Sequence, residues 1–298
     1  MTSTTLTPSA ATAARRLPGR SIVAWIGVAP FFVFALLFLL LPTGLLLIGA
    51  FQDQTGAFSL ASIAALARPD IIKSFMLSIE VSAASAIGGA LFGFVLAYAA
   101  ARGGLPDWIR PTLTTFSGVA SNFAGVPLAF AFMATLGRLG LVTVALQAIG
   151  INLYSMGFNL LGFWGLTLVY LYFQIPLMIL IMMPAIDGMK KEWREASLIL
   201  GSSTWQHWRY ITIPVLWPAL AGATLLLFAN AFGAIATAYA LTNSALNIVP
   251  ILLYAQIRGD VLGSPHYGYA LAFGMIVITG IANTIYIVLR ARSERWLK

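Results

Sequence analysis

The charged and aromatic residues that are suited to chemistry or to contact gather in one segment, from about residue 185 to 218. Its charged members are Asp187, Lys190, Lys191, Glu192, Arg194, Glu195 and Arg209. The rest of the chain has few residues suited to catalysis or metal binding. There is no cysteine, and of the two histidines, His207 lies in this segment and only His266 lies outside it. Disulfides, iron–sulfur clusters and thiol chemistry are therefore excluded, and we predict no metal site and no catalytic residue.

A pair of short helices is predicted inside this segment. Residues 190–200 are good helix formers, and Gly201 follows them where a helix commonly ends. Ser202, Ser203 or Thr204 can cap a second short helix, because a side-chain oxygen accepts from the free N–H groups of the first turn. The segment is thus expected to fold back on itself as a helix–turn–helix elbow.

The second helix of this elbow is expected to present an aromatic face. Trp205 and Trp208 are three residues apart, which places both on the same side of a helix. Pro214 and Pro218 then mark the start of the next apolar run. A short elbow with a charged rim and an aromatic face is suited to insert into a socket on another protein; the simpler interpretation is a solvated loop with a capped helix.

The spacing within the elbow resembles the EAA motif of the permease subunits of binding-protein-dependent ABC importers. That motif has the pattern Glu-Ala-Ala-x3-Gly-x9-Ile-x-Leu-Pro, and the matching positions here are Glu195-Ala196-Ser197, Gly201, Ile211, Ile213 and Pro214. Every interval agrees, while Ser197 replaces the second alanine and Ile213 replaces the leucine. The resemblance covers about residues 70–290 and implies a type I importer fold.

The resemblance implies that the elbow docks in a cleft of an ATPase subunit and transmits its closure to the membrane helices. It carries this role over to Glu195, Ala196, Gly201 and Pro214. Ser197, Trp205, Trp208 and Ile211 complete the candidate coupling residues. The chain has no G-x4-G-K-[ST] phosphate-binding sequence, so ATP and Mg²⁺ are expected in a separate subunit and no cofactor is expected in this chain.

The same resemblance implies a set of partners and a class of solute. A motor of two ATPase subunits offers two sockets, so one elbow per chain implies a second permease chain, related or identical. An extracytoplasmic binding protein would deliver the solute, and no nucleic-acid partner is expected. The later spans look most like permeases for polyamines, ferric iron, phosphonates and similar small polar solutes.

The composition requires a membrane environment. Hydrophobic residues make up 60% of the 298 residues, charged residues 9%, and the mean hydropathy is +0.90. A soluble domain carries about 25% charged residues, so most of this chain must face lipid. Six apolar stretches are long enough to span, approximately Ile22–Ala50, Phe75–Ala101, Leu113–Leu136, Leu161–Met183, Ala219–Leu241 and Tyr267–Leu289.

Two apolar stretches need a choice between interpretations. The run from Ile22 to Phe51 exceeds the 7–15 residues of a signal-peptide core, so we predict an uncleaved first span. The run from Leu139 to Ile149 is too short to span, and we predict a short helix on the outer surface, with a seventh span as the alternative.

The basic residues set the expected orientation. Thirteen of the 17 lysines and arginines fall on one side of the six spans, together with both termini. Because lysine and arginine are enriched in cytoplasmic loops, both termini are predicted to lie in the cytosol of a bacterial inner-membrane protein. The expected division is a cytosolic tail at 1–21, a permease domain at 22–290 with the coupling elbow at 185–218, and a second cytosolic tail at 291–298. The predicted class is all-α integral membrane protein, with the elbow between spans four and five.

Few polar groups fall at membrane depth, and these are the candidates for a substrate path. They are Glu80, Asn122, Gln174 and Asn230. Glu80 is the one ionisable group among them, and the alternative to a role in the path is a carboxylate at the lipid interface. For the other three residues, the alternative is hydrogen bonding between helices, which is the commoner use of such groups. Pro127 and Pro176 are expected to interrupt helices beside a cavity. In the last outer loop, Arg258 and Asp260 either contact a binding protein or face water, and water is the preferred interpretation.

One face of the second span is made of small residues. Ser78, Ser82, Ser85, Gly89 and Gly93 follow one another at intervals of three or four, which places them on one side of a helix. Small side chains let two helices approach closely in lipid, so packing against a neighbouring helix is the favoured interpretation and a pore lining is the alternative.

Two other functional classes would require sequence features that differ from those described above. A secondary transporter or channel predicts several buried ionisable residues and an internal repeat, and neither is evident. A membrane-embedded enzyme predicts a cluster of histidine, aspartate or glutamate near the interface, which is lacking. The elbow motif favours the importer subunit over both.

Overall fold

The computed structural model describes residues 19–53, 55–243, 245–259 and 265–294. In these ranges the named elements are all helices, and the predicted all-α membrane class is confirmed. The helices are α1 Gly19–Ala35, α2 Leu41–Gly49, α3 Ala61–Ala65, α4 Pro69–Arg102, α5 Ile109–Ala120, α6 Val126–Leu136, α7 Leu141–Ala148, α8 Phe163–Asp187, α9 Lys191–Ile199, α10 Thr204–His207, α11 Ile213–Phe232, α12 Ile235–Thr242, α13 Val249–Arg258 and α14 Pro265–Glu294.

The chain divides into two compact units, Met1–Ile48 and Gly49–Lys298. In the first unit, α1 continues through a wider turn at Leu36–Leu40 into α2. The second unit contains every other helix and both candidate functional regions. The predicted tail at 1–21 falls almost wholly outside the described residues, as do Asp260 and the last four residues of the chain.

Six stretches of the described chain are long and apolar enough to cross a membrane, as predicted. They are Gly27–Gly49, Pro69–Arg102, Val126–Ala148, Phe163–Asp187, Thr204–Phe232 and Tyr267–Leu289. The short helix predicted within Leu139–Ile149 is present as α7, and it forms the end of the third stretch, so its place on the outer surface stays a prediction. A seventh stretch is not found among the described residues.

The predicted third and fifth spans are wrong in one respect, because neither is one continuous helix. The third is divided between α5 and α6 by the irregular residues 121–125, where Gly125 has φ +77° and Pro127 is the second residue of α6. The fifth is divided between α11 and α12 at Gly233 and Ala234. Glycine permits the positive φ, and proline lacks the N–H that a continuing helix needs, so α6 begins afresh. Pro176, in contrast, lies inside an unbroken α8.

The centre of the second unit is the close contact between α4 and α8. Ser78, Ser82 and Ser85 are buried there, and the two glycines allow the backbones to meet. A Cβ on Gly89 would lie 2.7 Å from Cβ of Gln174, and a Cβ on Gly93 would lie 2.5 Å from Cβ of Met178. The prediction of a small-residue packing face on the second span is therefore confirmed.

Helix α11 completes the core by packing on α4, α8 and α14. Leu227 of α11 is fully buried in one hydrophobic cluster with Ala86 of α4 and with Met178 and Met182 of α8. Because the elbow lies between α8 and α11 in the chain, both of its ends enter helices of this core.

Candidate functional site

The first arm of the elbow is α9, and it ends in a turn that only glycine adopts easily. Gly201 has φ +71°, in the left-handed region, and a Cβ there would meet no atom within 4 Å. The Gly201 N–H donates to the Leu198 carbonyl at 3.0 Å, and the Ser202 N–H donates to the Ser197 carbonyl at 3.0 Å. This pair of bonds is the Schellman arrangement, which satisfies the free carbonyls of a helix end. The predicted glycine stop is confirmed.

The second arm begins at Ser203, one of the three predicted caps. Its hydroxyl accepts from the Gln206 N–H at 3.2 Å, and its own N–H donates to Oε1 of Gln206 at 2.7 Å. This reciprocal pair is a capping box. The helix α10 then continues without a break through a wider turn at Trp208–Thr212 into α11, so the second arm is rigidly continuous with a membrane helix.

The two arms are tied together through Ser197, the residue that departs from the alanine of the motif. Its buried hydroxyl donates to the Arg194 carbonyl at 2.9 Å and lies 2.9 Å from Nδ1 of His207. A hydroxyl has one hydrogen, so when that hydrogen is on the Arg194 carbonyl, Nδ1 of His207 must be the donor. Ser202 adds a second tie, because its Oγ donates to the Ser197 carbonyl at 2.8 Å. The serine thus links α9 to α10.

The outer surface of the elbow is apolar. Ile199 is 86% exposed, Leu200 85% and Trp205 68%, and Leu198 is exposed beside them. Glu195 and Arg194 are exposed on the same helix and give this tip a charged rim. We call Glu195, Leu198, Ile199, Leu200 and Trp205 the elbow tip. Exposed apolar surface of this kind indicates contact with another protein or with the membrane.

Trp208 does not share the exposed face of Trp205, so the predicted aromatic face is wrong. Its ring centroid lies 4.5 Å from that of Tyr98 and 6.4 Å from that of Phe94, both on α4. Residues three apart on a helix are offset around its axis, and here the boundary between exposed and packed sides falls between the two tryptophans. Trp208 therefore holds the elbow against α4, while Trp205 faces outward.

The remaining motif residues lie at the inside of the elbow and at its junction with the membrane. Ala196 and Ile211 line an apolar groove of about 430 Å³ between the two arms. Pro214 is the second residue of α11, where its missing N–H leaves no helix bond unmade. These positions explain the small and apolar residue types at the matching motif intervals.

Two arginines fix the base of the elbow. From the sequence they indicated only the orientation of the chain in the membrane. Nη2 of Arg102, at the end of α4, donates to the carbonyls of Ile186 at 3.0 Å and Met189 at 2.7 Å. Arg110 of α5 forms an ion pair with Asp187. Arg102 thus bonds a free carbonyl in the last turn of α8, and Arg110 brings a positive charge to the negative end of that helix. The sequence feature that could have identified this role is that each arginine lies at a helix end on the same side of the membrane as the elbow.

The four candidate path residues do not form one cluster of bonded groups. Gln174 is fully buried, and its Nε2 donates to the Leu227 carbonyl at 2.8 Å, while its Oε1 has no partner among the described residues. Asn122 lies in the break between α5 and α6, exposed, with Nδ2 donating to the Gly118 carbonyl at 2.9 Å. Glu80 on α4 and Asn230 at the end of α11 are exposed on this chain. Gln174 bonds one helix to another, and the other three face away from the core.

The helix breaks are held by hydrogen bonds from distant parts of the chain. The Gly125 N–H donates to Oγ1 of Thr237 at 2.7 Å, and the Tyr170 hydroxyl donates to the Ala234 carbonyl at 2.7 Å. Interrupted backbone at membrane depth is tolerated only where such partners exist. Neither Thr237 nor Tyr170 was a candidate in the sequence analysis, because nothing local in the sequence pairs them with a break.

Comparisons with known proteins find relatives of the class that the elbow motif resembles. No family model matches the chain. It is 27% identical over 210 residues to a probable sulfate transport system permease protein, cysT, of Chlorella vulgaris, covering 67% of this chain and 74% of that protein. It is 25% identical over 223 residues to the molybdenum transport system permease protein ModB of Mycobacterium tuberculosis, covering 73% and 79%.

A solved structure gives the same result for the fold. The chain is similar, with a TM-score of 0.70 and 18% sequence identity, to a chain in the crystal structure of a bacterial ABC transporter involved in the import of the acidic polysaccharide alginate. The match covers 94% of this chain and 98% of that one. The predicted resemblance to the permeases of ABC importers, and with it the type I importer fold, is confirmed.

Proposed function

We propose that this chain is the transmembrane permease subunit of a bacterial ABC importer and that its elbow is the point at which an ATPase subunit drives it. The observation that carries the proposal is the elbow tip: an exposed apolar surface on a short, doubly capped hairpin that matches the EAA spacing. Its relatives are transport permeases and not enzymes by name, which fits a chain without a phosphate-binding sequence.

The coupling follows from how the elbow is attached. When two ATPase subunits close on ATP and Mg²⁺, a socket on one of them would pull or push the elbow tip. The first arm joins α8 through three residues, and the second arm is continuous with α11. Arg102 and Arg110 tie the same base to α4 and α5. The displacement therefore reaches four packed helices without a flexible linker in between.

The assembly that this function needs is larger than one chain. We propose two ATPase subunits, a second permease chain that is related or identical, and an extracytoplasmic binding protein. Both termini would lie on the cytosolic side of the inner membrane, since Arg102, Arg110, Lys190 and Lys191 are on the elbow's side. A reporter that is active only outside the cytosol, fused to Lys298, should give no signal; a strong signal would overturn this orientation.

The solute is proposed as a small polar molecule delivered by the binding protein. The narrower class of polyamine, ferric iron or phosphonate has no support in the relatives, whose names give sulfate and molybdenum, and also starch degradation products for a protein of Thermoanaerobacterium thermosulfurigenes that is 25% identical over 135 residues. A screen of the cognate binding protein against sulfate, molybdate, maltodextrins, polyamines, ferric iron and phosphonates identifies the solute by thermal stabilisation.

The test of the coupling role uses two glycines in the same backbone conformation. Gly201 and Gly104 have φ +71° and +68°, both with open space where a Cβ would lie, and both are on the elbow's side of the membrane. We expect Gly201→Val to insert normally but to lose uptake and ATPase co-purification, because it opens the turn of the elbow. Gly104→Val carries the same backbone strain away from the elbow and should retain both activities. Equal uptake in the two variants would overturn the proposed function.

A further inference from the structure

An uncharged segment lies at the end of the bundle opposite the elbow, between α6 and α8. From Leu139 to Gly162 it contains no lysine, arginine, histidine, aspartate or glutamate. The segment that leads into α4 at the same end carries Asp53 and Arg68. Soluble proteins contain about 25% charged residues, so the uncharged segment does not have the composition of a loop that faces water.

Helix α7, inside this segment, turns its apolar side away from the protein. That side consists of Leu141, Val144, Ala145 and Ala148, which follow the spacing of one helix face and are all exposed on this chain. Thr143, on the opposite side of the helix, is fully buried. In a protein surrounded by water, an amphipathic helix has the reverse arrangement, with its apolar face toward the core. The exposed face of α7 therefore indicates an apolar environment outside this chain.

The lengths of α5 and α6 place α7 near the boundary of the membrane. Arg110 at the start of α5 pairs with Asp187 at the end of α8, so α5 begins on the elbow's side. The two helices contain 12 and 11 residues, and at about 1.5 Å per residue they reach about 35 Å, against about 30 Å for the hydrocarbon core. Exposed Trp164, the second residue of α8, agrees with this depth, because tryptophan is enriched at membrane interfaces.

The direction of the exposed face is fixed by the turn between α6 and α7. A Cβ on Gly140 would lie 2.5 Å from the carbonyl carbon and oxygen of Thr135, so this close approach requires glycine. The Tyr154 hydroxyl donates to the Leu136 carbonyl at 2.9 Å and holds the following loop against the end of α6. The exposed face of α7 cannot turn toward the core without breaking these contacts.

We propose that α7 is an interfacial helix, whose exposed face inserts among the acyl chains of the leaflet on the side opposite the elbow. Lipid fits this face because it is uncharged throughout, in contrast to the elbow tip, where Glu195 and Arg194 lie beside the apolar residues. Exposed apolar residues continue beyond both ends of the helix, at Leu139 and Ile149, as expected for contact with a continuous lipid phase.

A binding protein on the same side fits this face less well than lipid does. A partner that leaves between transport cycles would return the face to water, which is unfavourable for a side chain such as Leu141, at 76% exposure. The lipid contact does not depend on the proposed transport function, and its test needs no uptake measurement.

The experiment uses two exposed alanines in a chain that has no cysteine of its own. Ala145→Cys places a single thiol on the exposed face of α7, and Ala57→Cys is the matched control in the segment that contains Asp53. Each variant is purified with the subunits that stay bound to it, labelled with bimane and placed in nanodiscs. The unsubstituted chain, treated in the same way, gives the background from any cysteine in a bound subunit.

Quenching by brominated lipid and by aqueous iodide reports what surrounds each label. We expect the ratio of lipid quenching to iodide quenching to be about tenfold higher at Ala145→Cys than at Ala57→Cys. Strong iodide quenching at Ala145→Cys would place the face in water, and protection from both quenchers would mean that a second permease chain or another protein covers it. Either result would overturn the proposal.

The position of the bromine atoms measures the depth of α7. Bromine near the headgroup end of the acyl chain should quench the Ala145→Cys label about twofold more than bromine near the end of the tail, because an interfacial helix lies at the headgroup boundary. The opposite order would make α7 part of a membrane-spanning segment and would also contradict the proposal.

Discussion

The elbow and the helix breaks satisfy their exposed backbone groups in opposite ways. At the turn of the elbow, the free backbone groups of α9 and α10 are bonded by residues a few positions away, such as the Gln206 N–H by Ser203 and the Ser197 carbonyl by Ser202. At the break before α6, the Gly125 N–H is bonded by Thr237, which is 112 positions away. The elbow is therefore a locally determined element, whereas the breaks exist only when the whole bundle is assembled.

This difference predicts that substitutions in the two regions have different effects. A change in the elbow should alter contact with the ATPase and leave the bundle stable, because few core contacts depend on it. A change at a break should lower the stability of the bundle, because it removes a partner that only the assembled fold supplies. The following variants test this comparison, from the largest expected effect to the smallest.

Glu195→Lys should abolish uptake while leaving the melting temperature of the purified chain within about 2 °C of the parent, since exposed single substitutions change stability little. It reverses the charge at the elbow tip, where a like charge on a partner costs more than a lost attraction. Asp107→Lys reverses a charge in another exposed segment on the elbow's side and is the control. Uptake and ATPase co-purification from the same membranes measure the effect, and normal uptake in Glu195→Lys contradicts a coupling contact at this residue.

Thr237→Val should lower the stability of the bundle by about 1–3 kcal/mol, because it leaves the Gly125 N–H unbonded. Thr242→Val is the control on the same helix: its hydroxyl bonds only the Ala238 carbonyl one turn earlier, at 2.9 Å. Thermal unfolding in detergent measures both. Equal destabilisation by the two variants would show that the long-range bond does not hold the break.

The features that could be predicted from the sequence are those that depend on local contacts. The Gly201 stop, the Ser203 cap and the small-residue face of α4 were predicted correctly, because each depends on residue types at fixed local spacing. The break at Gly125 was indicated by Pro127, whereas Pro176 was wrongly expected to interrupt α8. The break at Gly233 was missed, because hydrophobicity runs through it and its partner is remote in sequence. The inward orientation of Trp208 was missed for the same reason, since contact with Tyr98 decides it.

Ser197→Ala should weaken the link between the two arms by about 1 kcal/mol, because Nδ1 of His207 loses its acceptor. It restores the alanine of the motif, so the fold and ATPase binding should remain. Hydrogen exchange of the α9–α10 amides should accelerate about fivefold, while amides of α8 stay unchanged. Thr204→Ala, exposed in the same elbow, is the control. No change in exchange would mean that the Ser202 tie alone holds the arms.

Glu80→Gln should have the smallest effect on the structure, because Glu80 is exposed on α4 and no residue is bonded to it within the described part of the chain. If Glu80 faces the solute path, the concentration dependence of uptake should change by a few fold while co-purification of the ATPase stays intact. Uptake kinetics identical to the parent would assign Glu80 to the lipid interface and remove it from the path.

The wider turn at Trp208–Thr212 fixes the rotational phase between the elbow and α11. In this turn the Ile213 N–H donates to the Trp208 carbonyl, five residues back, so the turn contains one residue more than a regular helical turn. A wider turn of this kind accommodates its extra residue locally, so the elbow and α11 keep nearly the phase of a regular helix. Removing that residue should close the turn to the regular pattern and rotate the elbow tip by much less than the about 100° that one residue adds within a regular helix. We therefore expect the direction of the elbow tip to tolerate a one-residue deletion here better than a one-residue deletion elsewhere in α10 or α11.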